Sequence, residues 1–204
     1  MTQLRRDRSV FVNCPFDLSY KPLFDAIVFA LVHCRFEVRS ALEVNDAGDL
    51  RLAKIVRLIE ECRLSVHDIS RIELDADSGL PRFNMPIELG IALGAKHLGD
   101  RAVRDHLLLV MDSDRYRYQR FASDLFGVDI HAHSSTVPGV LQGVRDFLAP
   151  HADESLPGAT AIGSALDRFE HALPELAAAA RQHPAELTYV DRLRHLTVFV
   201  EGYR

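Results

Sequence analysis

The chain has no apolar run near 18 residues; its longest candidate, Ala26 to Val32, is far too short to span a bilayer. Its cysteines are few, Cys14, Cys34 and Cys62, an odd number without a CxxC pair, so neither a disulfide framework nor a zinc knuckle is indicated. Basic excess is also lacking. The net charge of −5 argues against a general nucleic-acid binder, which carries a basic face. There is no HExxH and no Cys/His pair at zinc spacing among the ten histidines, so no metal site is expected. The loop Asn13 to Asp17 has no glycine, which excludes a P-loop or a dinucleotide fingerprint there. No internal repeat or long low-complexity segment is visible. The charged N-terminus, Met1 to Arg8, runs into a short strand and not an apolar h-region, so a cytoplasmic protein is expected.

What is present is a hydrophobic content of 48% over 204 residues, enough for one ordinary domain or one with a small appendage. Short apolar, partly β-branched runs alternate with stretches of helical spacing. Ser9–Asn13, Phe36–Ser40, Leu64–Ile69, Leu107–Met111 and Val128–Ile130 read as strands. Tyr20–Cys34, Leu50–Cys62, a stretch opening at Asn84, and Thr136–Leu148 read as helices. Asn45 to Asp49 reads as a turn, and Asp75, Asp77, Ser78, Gly79 and Pro81 mark a turn-rich connection. Strictly alternating strands and helices imply a five-stranded parallel sheet with helices on both faces, a flavodoxin-like α/β core. The expected division is a domain over 1–150, then a linker from His151 to Gly163 and a helical appendage within 151–204. In the appendage, Ala161–Gln182 and Pro184–Val200 read as helices, with Pro174 kinking the first.

The segment Leu64 to Lys96 concentrates the chemistry. A buried strand runs out to His67-Asp68, residues that point to opposite faces if the strand persists. Asn84 is expected to cap the next helix, with Pro86 tolerated in the first turn. Glu88 sits one turn in, surrounded by Met85, Ile87, Leu89, Ile91 and Leu93. An acidic residue there also suits the helix dipole alone. Gly90 and Gly94 leave a face on which another backbone or a ligand can approach. Strand carboxyl ends collect Asn13, Cys14, Pro15, Phe16, Asp17, Glu43, His67, Asp68 and the Asp112 turn at one rim, where open α/β sheets bind ligands. Asp68 serves either to position a ligand or to cap its own loop. Cys14 has no histidine partner placed by the sequence and reads as a packing residue more than a nucleophile. Arg82 is a candidate phosphate ligand.

Arg82-Phe83-Asn84-Met85-Pro86-Ile87-Glu88-Leu89-Gly90 resembles the R-x-N-V-x-x-E-L-G signature of bacterial TIR-like nucleotide-binding domains, with Met85 in place of valine. Met85 to Ala92 is also similar to the E-L-G-x-A segment of nucleoside 2-deoxyribosyltransferases. The resemblance is specific in this segment, looser over roughly residues 9–150, and does not reach the C-terminal quarter. It implies that Glu88 is a catalytic carboxylate at an N-glycosidic bond, supported by Asp68. Asn13, Cys14, Phe16, Asp17, Arg82 and Asn84 would bind the substrate. The TIR-like branch implies NAD as substrate, with no cofactor, in antiphage defence. The transferase branch implies base exchange or nucleoside hydrolysis; Arg82 stands at a position where a transferase can carry an aspartate, which weakens it. Outside enzymes, a nucleotide-sensing or self-assembling module fits the same domain, with the C-terminal helices as a homo-oligomer surface. A phosphoacceptor receiver would want paired acidic residues after the first strand, which Asn13-Cys14 does not supply.

Overall fold

A computed structural model describes residues 3–43, 46, 48–74, 79–101, 103–125 and 127–202. Asn45 and Ala47 of the expected turn, and Asp75, Asp77 and Ser78 of the turn-rich connection, lie outside the described residues. A short helix α1 (Gln3–Arg8) leads without a break into strand β1 (Ser9–Asn13). Then come α2 (Lys21–His33), β2 (Glu37–Ser40), α3 (Arg51–Glu61), β3 (Leu64–Asp68), α4 (Asn84–Leu98), β4 (Leu107–Asp112), β5 (Ile130–Ala132) and α5 (Val137–Leu148). Two further helices close the chain, α6 (Ala159–Ala179) and α7 (Tyr189–Gly202).

All strand pairs are parallel and the order is β2-β1-β3-β4-β5, the flavodoxin-like arrangement. Side-chain alternation divides the core between the two faces. Val10, Val12, Leu64, Val66, Leu109 and Met111 pack under α2 and α5, while Phe11, Leu108 and Val110 face α3 and α4. The register places Asn13 beside His67 and Asp68 beside Met111.

Three expectations shift. The fifth strand starts at Ile130 rather than Val128, because the Val128 N–H is taken by the Leu125 carbonyl as the chain leaves a 3₁₀ turn. Asn84 is the first residue of α4 and not its cap; Phe83 holds the cap position without a side-chain bond to the helix. The expected linker is shorter at its far end, since α6 begins at Ala159 and continues through Pro174 to Ala179. The second appended segment opens with a 3₁₀ turn at Pro184–Glu186 before α7.

Helices α6 and α7 lie on the outer side of α2 and α5 and share their core. Ile162, Leu166, Phe169, Leu173, Leu196 and Phe199 are buried with Phe29 and Leu141 in one cluster. Phe169 is the pivot: its ring is 6.0 Å from Phe29 and 5.4 Å from Phe199. No helix among the described residues is long and apolar enough to cross a membrane.

Candidate functional site

In the order β2-β1-β3-β4-β5 the winding reverses between β1 and β3. The crevice outside their carboxyl ends is where this architecture opens to ligands. Asn13 ends β1, Asp68 ends β3, and α4 crosses this point with its first turns. Glu88, in the second turn of α4, is 6% exposed. Its nearest charge is Arg51 at the start of α3, whose Nη2 lies 3.7 Å from Glu88 Oε1 and whose side chain is largely exposed. Burial pushes the Glu88 carboxyl above the ordinary glutamate value, against the opposing pull of Arg51.

A chain of buried polar groups runs beneath α4. Asn13 Nδ2 lies 3.2 Å from the Met85 carbonyl and 3.0 Å from His67 Nδ1. His67 Nε2 lies 2.9 Å from Ser65 Oγ, which is 2.8 Å from His106 Nε2. His106 Nδ1 then reaches the Cys62 carbonyl at 2.9 Å. Both ends are carbonyls, which only accept, and this fixes every proton between them. The Asn13 amide donates to Met85 and to His67 Nδ1. His67 therefore carries its proton on Nε2 and donates to Ser65. Ser65 donates to His106, and His106 donates from Nδ1. Neither imidazole has room for a second proton. Burial agrees, holding His67 down to about 3 and His106 down to about 4. His67 also meets the Phe11 ring edge-on at 5.9 Å.

Asp68 points to the other face of the sheet. Tyr20 donates its hydroxyl to Asp68 Oδ2 at 2.5 Å, and the Ser70 N–H donates to Oδ1 at 2.8 Å. His133 Nδ1 accepts the Ser135 N–H at 3.0 Å, so its proton is on Nε2, which lies 3.0 Å from Asp68 Oδ2 but off the line of a directed hydrogen bond. Asp68, Tyr20 and His133 are all inaccessible to solvent. Asp68 thus ties α2, β3 and the β5–α5 loop together at the rim. On β4, Asp112 accepts from Arg117 and from the Ser113 N–H, each at 2.7 Å, through Oδ1. Its Oδ2 is buried without a partner, and burial raises its carboxyl against the pull of Arg117.

The remaining residues singled out in the sequence divide by exposure. Cys14 is fully buried, and its thiol is pushed well up by burial and by the carboxylates of Asp68, Glu88 and Asp17, so it is not a thiolate nucleophile. Phe16 is partly exposed and packs edge-on against Phe24 at 5.5 Å. Asp17 accepts from Ser19 and the Tyr20 N–H and faces Arg82 at 3.8 Å. Burial raises its carboxyl most, but these hydrogen bonds together with Arg71 and Arg82 leave it below the ordinary value. Arg82 and Asn84 are exposed. Ser65, His106, Tyr20, His133 and Arg51 were not anticipated as partners. A polar Ser65-His67 alternation inside an apolar strand was the one available signal; the others meet the rim from elsewhere in the chain.

Among the described residues no group of three or more His, Cys, Asp or Glu is placed to hold a metal ion. A groove of about 810 Å³ between α2, α5 and α6 has Leu18, Val137, Leu141 and Leu166 on its walls and does not include Glu88. Fold and rim together define a doubly wound α/β protein with one buried carboxylate in its switch-point helix. Comparison of the chain with protein-family models, curated proteins and solved structures finds no match.

Proposed function

We propose that the chain cleaves the N-glycosidic bond of a nucleotide, with NAD as substrate, releasing nicotinamide and an ADP-ribose product. The burial of Glu88 at the β1/β3 switch point carries this reading. Departure of the base leaves positive charge on the ribose. A carboxylate held in a low-dielectric site stabilises that charge electrostatically or traps it as a covalent ester, which water then opens. The R-x-N-M-x-x-E-L-G segment adds the resemblance to TIR-like domains, and with it a role in bacterial antiphage defence. In this reading Glu88 is the reacting carboxylate. Phe16 and Asp17 with Arg82 and Asn84 hold the nucleotide, Asn13 and Cys14 being buried, and Asp68 acts through Tyr20 and His133 to keep the rim in shape.

A second reading is a nucleotide-sensing or self-assembling module without turnover. It draws on the solvent face of α4, where Phe83, Ile87 and Leu98 are more than half exposed and Gly90 and Gly94 face open space. Nicotinamide release by wild type and by Glu88→Gln, at low and high protein concentration, separates the two. Release by wild type alone, with the variant folded, is the expected result. No release at any concentration, with NAD binding unchanged by Glu88→Gln, would establish the sensor.

A further inference from the structure

The polar chain under α4 has a feature that core packing does not explain. Every member is fully or almost fully buried, yet the chain ends on a carbonyl inside the first turn of α4, three residues before Glu88. A helical carbonyl already has an intrahelical partner four residues on, so the Asn13 amide is an additional bond that ties this turn to β1. Asn13 can make it in only one orientation. Were the amide reversed, its oxygen would face the Met85 oxygen. The His67 lone pair on Nδ1 holds that orientation, and Ser65 and His106 hold the His67 tautomer in turn.

We propose that the chain Cys62 carbonyl–His106–Ser65–His67–Asn13–Met85 carbonyl is the positioning device for Glu88, fixing the first turn of α4 against the β1 end. Ser65, His67 and His106 are positioning residues in this scheme: they reach Glu88 only through Asn13 and the helix. The consequence for turnover rests on Glu88 being the reacting carboxylate; the consequence for its placement does not. The charged and titratable groups that bear on Glu88 are Arg51 on α3 and Cys14 at the β1 end. Neither belongs to the polar chain, so a change made at Ser65 leaves both in place.

The test compares Ser65→Ala, which removes both middle links, with Ser65→Thr, which keeps the hydroxyl. The Glu88 carboxyl is followed by carbon NMR across pH, and the His67 nitrogens by ¹⁵N NMR. In wild type, His67 is expected neutral with its proton on Nε2. In Ser65→Ala the Glu88 midpoint is expected to fall towards the ordinary glutamate value as the turn loosens and water enters. Ser65→Thr is expected to restore it. If Ser65→Ala does not fold, His106→Gln at the far end of the chain takes its place, with the same fall expected. A Glu88 midpoint unmoved in a folded variant, or a wild-type His67 protonated on Nδ1, would overturn the proposal. Nicotinamide release is measured on the same samples. Its absence in wild type would remove the glycohydrolase reading and leave the titration result standing. Its presence should come with a kcat about tenfold lower in Ser65→Ala at little changed KM.

Discussion

At Glu88 folding places a carboxyl where its neutral form is favoured, because burial outweighs the attraction of one largely exposed guanidinium. The folded chain therefore holds this proton more tightly than the unfolded chain does. The contribution to stability is fully present below the ordinary value of 4.5 and is lost as pH rises through the raised folded value. Glu88→Gln removes a group that disfavours folding once ionised. Thermal unfolding of the variant and wild type should differ little at about pH 4, with the variant the more stable at about pH 8. A variant less stable than wild type at the higher pH would mean that the carboxylate is paired more strongly than Arg51 alone allows. Asp68 sits among donors, with the Tyr20 hydroxyl and the Ser70 N–H donating to it and the His133 Nε2 proton close by. The neighbouring strand residue His67 is stabilised neutral on the other face. Two adjacent polar residues thus serve two unconnected networks because a strand turns its side chains alternately.

Among the secondary-structure elements, α4 and α6 show how differently an apolar helix can be used. Helix α4 buries Met85, Leu89 and Ala92 and leaves Phe83, Ile87 and Leu98 in solvent. Helix α6 turns Ile162, Leu166, Phe169 and Leu173 inward against α2 and α5, so its stripe is spent within this chain. Phe169→Ala should then cost about 3–5 kcal/mol in urea unfolding, the range for deleting a buried aromatic ring. That loss should appear in one transition that also reports on the sheet, because Phe169 meets Phe29 of α2 and Phe199 of α7. Two separated transitions would show that α6 and α7 fold as a unit apart from the sheet.

For the molecule as a whole, the buried histidines set the response to acid. With His67 near 3 and His106 near 4, the native state binds fewer protons than the unfolded chain, whose histidines titrate near 6.5. Their contribution is present above about 6.5 and is lost as pH falls towards the folded values. Glu88 acts in the opposite direction over part of this range, so the comparison must be between variants. His106→Gln should lose stability less steeply than wild type between about pH 6.5 and about pH 4, measured by urea unfolding at each pH. Equal slopes would place a solvent path to His106 that its burial does not suggest.

The sequence by itself determined the sheet and its direction. Apolar runs such as Leu107–Met111, alternating with helical spacing, are fixed by local period, and parallel winding then follows from the short right-handed connections available. It also singled out Glu88, since a lone carboxylate in an apolar helix start is visible as a pattern. Only the tertiary structure decided what surrounds that carboxylate. Arg51, Tyr20 and His133 come from separate segments, and nothing in their local sequence encodes which strand end they meet. The tautomers of His67 and His106 are further from the sequence still, because a proton's place depends on the whole run of partners between two carbonyls. The cap of α4 and the start of β5 were misread for a related reason. Both depend on where a backbone N–H finds its acceptor, and that acceptor is set by the fold and not by the residue.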